Sequence, residues 1–169
     1  MKKKMILLIS CVLLLSLTLL IIDNYRRTAS VGEDMIKIAR KVIPIADAET
    51  IDIQIIASVD KERRSLVYFI TGNEYQSHSY FPLEFKVIRG DKYKFLKMYK
   101  PMNRGMDISV TNWKDGYVFV VNNDRCKNIQ ITSADGQVEM VEVGRLPFFH
   151  YFEEIPAEYI FLDSEGNSL

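Results

Sequence analysis

The sequence predicts an α+β protein with an N-terminal transmembrane helix, then one amphipathic helix packed on a mostly antiparallel β-sheet domain. Three observations lead to this fold class. Residues 5–22 carry no charge, apolar residues within 35–43 recur at helical spacing, and from residue 50 onward apolar and polar residues alternate between closely spaced turns. The chain has 169 residues, of which 48% are hydrophobic and 26% charged. This composition excludes a mostly disordered protein.

The uncharged run at 5–22 has the length of a membrane anchor. As a helix it would be about 27 Å long, close to the hydrocarbon thickness of a bilayer. Three lysines precede it, so the positive-inside rule predicts a cytoplasmic basic end at 1–4. Residues 23–29 are then a linker, and residues 30–169 form one extracytoplasmic domain. The prediction is a single-pass protein of the cell membrane with its N-terminus in the cytoplasm.

Two alternatives exist for the N-terminal segment. The first is a signal peptide cleaved near Thr28–Ser30, and the second is a lipoprotein modified at Cys11. The apolar run is longer than the core of a signal peptide, and mostly apolar residues follow Cys11, which is not typical of a lipid-modified cysteine. Both features favour an uncleaved anchor. The second cysteine, Cys126, lies far from this segment, so we expect no disulfide scaffold.

A capping box predicts where the first helix of the domain begins. Ser30 takes the N-cap position and Glu33 the N3 position. Pro44 then ends the helix, because proline cannot continue it. The apolar stripe of this helix consists of Met35, Ile38, Ala39, Val42 and Ile43. We expect the stripe to pack on the sheet, and a membrane-surface helix is the alternative.

Alternating, β-branched and aromatic runs predict nine strands. They are 51–59, 65–71, 83–88, 92–98, 108–111, 117–122, 128–132, 138–143 and 158–162. The short turns between them leave no room for crossover helices, so the sheet should be mostly antiparallel. Pro82 lacks a backbone N–H and therefore predicts an edge strand or the start of a strand.

Few residues are available for catalysis. The only histidines are His78, in a polar stretch, and His150, in an apolar stretch, while Cys126 has two cationic neighbours. No serine-nucleophile, P-loop or dinucleotide-binding motif is present, and these side chains lack the close spacing of zinc ligands. We therefore predict no catalytic residue, no metal and no cofactor. An envelope hydrolase using His150 or Cys126 is the alternative.

The net charge of zero hides an uneven distribution. Residues 84–104 contain seven basic and two acidic side chains, whereas residues 134–169 contain one basic and eight acidic side chains. Strand alternation predicts that Tyr93 and Phe95 point into the core while the neighbouring lysines face solvent. The candidate binding residues of this basic segment are Lys92, Lys94, Lys97 and Lys100.

A second candidate contact is an aromatic segment near the C-terminus. It contains Phe148, Phe149, His150 and Tyr151 in succession. The segment is either a loop folded over the core or an exposed patch that contacts a partner.

The sequence thus favours a membrane-anchored extracytoplasmic binding or accessory module. Its expected partner is a membrane protein or an anionic envelope polymer, and the mixed overall charge argues against nucleic acid. A structural envelope protein is a further alternative. The layout resembles that of small single-pass proteins with one extracytoplasmic domain. This resemblance covers the anchor and the general architecture only.

Overall fold

The computed structural model describes residues 10, 12–19, 28–30, 32–45, 49–72, 78–89, 91–105 and 107–169. This part of the chain forms a mostly antiparallel β-sheet domain with two helices, which confirms the predicted α+β class.

Half of the predicted anchor at 5–22 lies outside the described residues, as do the basic end at 1–4 and most of the linker. Within the anchor, residues 12–19 are helical and exposed. No helix in the described part of the chain is long and apolar enough to span a membrane. The sheet begins with Thr28–Ser30, two residues before the predicted start of the domain at residue 30.

One helix and twelve strands make up the rest of the described chain. The helix, α1, is Glu33–Val42. The strands are β1 (Thr28–Ser30), β2 (Ile53–Lys61), β3 (Arg64–Thr71), β4 (Ser79–Arg89), β5 (Lys92–Met98), β6 (Met102–Gly105), β7 (Ile108–Trp113), β8 (Gly116–Val121), β9 (Asn128–Thr132), β10 (Val138–Glu142), β11 (Phe148–Phe152) and β12 (Glu158–Leu162). They form a five-stranded sheet in the order β1-β5-β4-β3-β2, a four-stranded sheet in the order β11-β8-β7-β6, and a three-stranded sheet in the order β10-β9-β12.

The helix and the three sheets stack in four layers. The helix α1 covers one face of the five-stranded sheet, where Met35 and Phe69 are buried. The opposite face of that sheet packs on the four-stranded sheet through Tyr68 and Trp113. The four-stranded sheet in turn packs on the three-stranded sheet, burying Phe119 between them. The predicted packing of the helix on the sheet is confirmed.

Strands β3 and β8 are buried on both faces. In β3, Phe69 faces the helix and Tyr68 faces the four-stranded sheet. In β8, Val120 faces the five-stranded sheet and Phe119 faces the three-stranded sheet. Because successive side chains of a strand point to opposite faces, a strand between two apolar layers has a continuous apolar sequence.

The helix starts differently from the prediction. Ser30 lies in β1, where it pairs with Lys92, so the predicted capping box does not form. The N-cap is Gly32, which has a φ of 89° and provides no side-chain cap. The helix ends as predicted, because its C-cap, Ile43, directly precedes Pro44.

The prediction that Pro82 marks an edge strand or a strand start is wrong. Pro82 lies within β4, a central strand, and pairs with Tyr68 of β3. Its carbonyl accepts a hydrogen bond from the Tyr99 amide on the β5 side, at 2.8 Å. The missing N–H therefore faces the end of β5, which stops at Met98. A proline is tolerated here because the neighbouring strand leaves the sheet at this point.

Candidate functional site

The predicted basic segment covers most of β4 and β5. Tyr93 and Phe95 pack in the apolar cluster beneath α1. Because neighbouring residues of a strand point to opposite faces, Lys92 and Lys94 point to the face on which the four-stranded sheet packs. Lys92 is exposed and Lys94 is half-buried. The alternation that the sequence predicts is therefore present in β5.

Cross-strand pairing places four cations in one row. Lys94 pairs with Lys86, and Lys86 pairs with Arg64. Arg64 in turn pairs with Lys61. Directly paired residues share a face, so this row crosses β5, β4, β3 and β2 at right angles to the strands. Adjacent strands are about 4.8 Å apart, which makes these like charges direct neighbours.

Three further cations lie on the same face of the five-stranded sheet. Arg89 pairs with Lys92, and Lys97 pairs with Glu84, which belongs to this face. Together, seven residues form a cationic face on this side of the sheet: Lys61, Arg64, Lys86, Arg89, Lys92, Lys94 and Lys97. Four of them, namely Lys86, Arg89, Lys92 and Lys97, are exposed to solvent.

A buried carboxylate lies within the cationic face. The side chain of Glu84 is only 5% exposed. It accepts hydrogen bonds from Trp113 Nε1 at 3.4 Å and from the Tyr99 hydroxyl at 3.2 Å. Arg64 Nη1 lies 3.6 Å from Glu84 Oε1, and the Arg64 side chain remains 38% exposed. Glu84 therefore holds one side of the guanidinium, while another part of it reaches solvent.

An aromatic ring positions the ammonium group of Lys97 beside this carboxylate. Lys97 Nζ lies 4.3 Å from the centroid of the Tyr99 ring, a distance that permits a cation–π interaction. The hydroxyl of the same ring donates to Glu84. Tyr99 thereby links the exposed lysine to the buried glutamate.

Two hairpin turns close one end of the row. Glu62 and Arg63, between β2 and β3, have φ values of 50° and 60°, and Lys114, between β7 and β8, has a φ of 59°. Residues other than glycine seldom adopt this conformation. Two ion pairs join the turns: Lys61 Nζ lies 2.6 Å from Asp115 Oδ1, and Lys114 Nζ lies 3.2 Å from Glu62 Oε2. The four-stranded sheet therefore lies directly beside the end of the row.

The contact between Lys61 and Asp115 keeps both groups charged. The hydrogen bond to Asp115 raises the pKa of Lys61, and the same bond lowers the pKa of Asp115. At neutral pH Lys61 is therefore a fixed positive charge that Asp115 partly neutralises.

Lys100 differs from the other three lysines of the predicted site. It lies two residues beyond the end of β5 and is exposed. No strand pairing within the described residues includes it. The structure thus brings Lys92, Lys94 and Lys97 to one face and leaves Lys100 outside the strand.

The predicted aromatic segment forms a strand, β11, rather than a loop. Phe149 and Tyr151 pack towards the five-stranded sheet, whereas Phe148 packs on the opposite face of β11. All three are half-buried. Their rings therefore fill the spaces between the sheets.

His150 lines an acidic cleft between β10 and β11. The cleft has a volume of about 410 Å³, and its lining includes Asp135, Glu139 and Glu153. Burial lowers the pKa of His150, and the charge of Glu139 partly opposes this effect. His150 Nε2 is buried without a hydrogen-bond partner among the described residues. The imidazole lies nearly parallel to the ring of Phe148, with the ring centroids 6.4 Å apart and the planes 5° from parallel.

Cys126 does not have the environment of a reactive thiol. It is buried, and its Sγ lies 3.6 Å from the Asn128 carbonyl oxygen. Burial raises the pKa of the Cys126 thiol, which keeps it protonated at neutral pH and lowers its nucleophilicity. Among the residues that the structure describes, no group of three or more His, Cys, Asp or Glu side chains is arranged to hold a metal ion.

Sequence reasoning missed Lys61, Arg64 and Glu84 as parts of the cationic face. Lys61 and Arg64 flank the β2–β3 turn, and only the register between strands brings them beside β4. Glu84 lies within the basic segment, but no sequence signal shows that its carboxylate is buried against Trp113.

No protein-family model, curated protein or solved structure matches this chain.

Proposed function

We propose that this protein is a membrane-anchored, extracytoplasmic module that binds an anionic ligand through the cationic face. The observation that carries the proposal is the direct pairing of like charges. Lys86 lies between two cationic neighbours, Lys94 and Arg64, and Arg89 pairs with Lys92.

The pairing of like charges brings no benefit to folding. Like charges directly opposite each other on a sheet destabilise it, by up to about 1 kcal/mol per pair. An anion bound over the row would remove this repulsion, so the arrangement is better suited to a ligand than to stability. A ligand can also reach these side chains from solvent, because Lys86, Arg89, Lys92 and Lys97 are exposed.

The nearby carboxylates leave an excess of positive charge on this face. Glu84 interacts with Arg64 and with neutral donors, and Asp115 pairs with Lys61. Neither carboxylate is paired with Lys86 or Arg89. Four of the eight acidic residues of the C-terminal part line the cleft around His150, on the far side of the four-stranded sheet: Asp135, Glu139, Glu153 and Glu154.

Titration with a generic polyanion tests the proposal. The full chain, held in a neutral detergent, is titrated with fluorescein-labelled heparin at 20 and 150 mM salt. We expect binding that weakens with salt. The Lys86→Ser/Lys94→Ser variant should lose about 30-fold in affinity, since each basic residue near an anionic surface contributes about 1 kcal/mol.

The matched control removes the same amount of charge elsewhere. Lys41 and Lys127 are both exposed and lie outside the cationic face, so Lys41→Ser/Lys127→Ser should retain most of the affinity. Equal losses for the two double variants would show that net charge alone drives binding. Absence of heparin binding at 20 mM salt would overturn the proposal.

The anchor and its orientation are part of the same proposal. The uncharged run at 5–22 and the lysines before it support an uncleaved anchor with the domain outside the cytoplasm. A reporter that is active only outside the cytoplasm, fused after Leu169, should be active. Activity of a cytoplasm-specific reporter at that position, or a mature N-terminus near residue 31, would contradict this part of the proposal.

A further inference from the structure

We infer that the ligand of the cationic face is a linear, phosphate-bearing polyanion that lies across the strands, along the row from Lys94 through Lys86 to Arg64. This inference rests on the proposed function and specifies the shape and chemistry of the ligand. It follows from the direction of the row, from its position beside the four-stranded sheet, and from the placement of Arg64 beside Glu84.

The direction of the row suits an extended chain of charges. The row runs from Lys94 to Lys61 across four strands, which is about 14 Å at 4.8 Å per strand spacing. A single small anion is shorter than this row. A polymer with repeated charges contacts the whole row at once and gains from each contact.

The position of the row favours a chain over a flat membrane surface. The side chains of Lys61 and Arg64 are only 27% and 38% exposed. Asp115 and Trp113 of the four-stranded sheet lie directly beside them. A planar bilayer would meet the four-stranded sheet before it reached Arg64, whereas a single chain fits into the corner between the two sheets.

The chemistry of Arg64 suits phosphate. Nη1 of the guanidinium lies 3.6 Å from Glu84 Oε1, so an ion pair keeps the group beside the carboxylate while part of it reaches solvent. A guanidinium presents a planar fork of donors that fits phosphate as well as carboxylate, and neighbouring lysines bind phosphate as point charges.

The aromatic residues of this region argue against a nucleic acid. Proteins that bind single-stranded nucleic acids stack the bases on exposed aromatic rings. Tyr93 and Phe95 point to the opposite face, under α1, and the Tyr99 ring is covered by Lys97. These three rings are therefore not placed to stack the bases of a single-stranded nucleic acid.

The test compares inorganic triphosphate, long-chain inorganic polyphosphate, poly-L-glutamate of matched charge, and vesicles containing anionic phospholipid. Each is titrated against the full chain in neutral detergent or, for the vesicles, in flotation assays. We expect polyphosphate to bind at least tenfold more tightly per site than triphosphate and poly-L-glutamate. With three contacted phosphates, the slope of log K against log salt should be about −2, and Lys86→Ser should reduce its magnitude by about 0.7.

Two charge-preserving variants separate charge from geometry. Arg64→Lys keeps the charge but loses the planar fork, so it should weaken polyphosphate binding, whereas Lys86→Arg keeps the charge at a position that acts as a point charge and should not weaken it. Lys41→Ser serves as the control, and circular dichroism confirms that each variant is folded.

Several results would overturn the inference while the proposed function stands. Equal affinity for triphosphate would indicate a small-anion site, and equal affinity for poly-L-glutamate would remove the preference for phosphate. Vesicle binding that resists Arg64→Ser would indicate a membrane-facing surface. Only the loss of all polyanion binding, heparin included, would reject the proposed function itself.

Discussion

Replacement of Glu84 by leucine tests whether the buried carboxylate stabilises the contact between the five-stranded and four-stranded sheets. Trp113 is fully buried and donates its indole N–H to Glu84. A buried donor left without an acceptor costs about 1–3 kcal/mol. The pair with Arg64 adds about 0–1 kcal/mol, because Arg64 is 38% exposed and its charge is screened by solvent. We expect Glu84→Leu to lower the free energy of unfolding by about 2 kcal/mol.

The assay is thermal unfolding followed by circular dichroism. For a chain of this length, 2 kcal/mol corresponds to a decrease in Tm of about 4–8 °C. Glu84→Gln keeps one acceptor oxygen and should lose about half as much. Glu142 on β10 is exposed, so Glu142→Leu is the matched control and should leave the Tm nearly unchanged.

A double-mutant cycle with Trp113→Phe identifies the bond responsible. The phenylalanine has no N–H to leave unpaired, so Glu84→Leu should cost less in that background than in the wild type. Strict additivity of the two substitutions would show that the Glu84–Trp113 bond contributes no net stability. Equal Tm values for Glu84→Leu and Glu142→Leu would refute the reasoning altogether.

Three other predictions concern the packing between sheets and the two titratable groups buried there. A Cβ atom added at Gly116 would lie 2.3 Å from the backbone oxygen of Phe152, so Gly116→Ala should displace β11 and lower the free energy of unfolding by about 1–3 kcal/mol in denaturant titrations. Burial holds the pKa of His150 below its usual 6.5, so as the pH falls below 6.5 the unfolded chain takes up a proton before the folded chain does, and stability decreases until the pH reaches the folded pKa. His150→Gln should remove this part of the pH dependence, and identical pH profiles of stability would contradict the assignment. The Cys126 thiol, with its raised pKa, should react with iodoacetamide far more slowly in the folded Cys11→Ser variant than in the same variant unfolded in urea, and equal rates would contradict its burial.

Local sequence patterns are sufficient to predict the helix and the aromatic side of β5. Residues Met35, Ile38 and Ala39 recur at helical spacing, and all three are buried. Tyr93 and Phe95 alternate with lysines, and both pack under α1. Local patterns suffice in these elements because each has one apolar face and one polar face, and the period alone then shows which residues point inward.

Strand β2 shows where the local pattern is not sufficient. Its alternation from Ile53 to Val59 predicts one apolar face, but a bulge lies between Ile55 and Ala57. Ile53 and Ile55 pack under α1, whereas Val59 packs on the four-stranded sheet. An extra residue in one strand exchanges the two faces, and both faces of this sheet are covered by apolar layers. The sequence alone therefore does not reveal the exchange.

Some residues of the cationic face are placed there by the local sequence pattern, and others only by the tertiary structure. Lys92 and Lys94 belong to it because of the alternation within β5, which the sequence determines. Lys97 joins them only because the pairing of β5 with β4 is irregular between Glu84 and Phe85, so that Leu96 is skipped. Arg64 belongs to it because β3 pairs with β4 in one particular register, and a shift of one residue would turn its side chain to the opposite face. That register is set by the packing of three sheets and a helix, so the tertiary structure alone decided that these cations form one row.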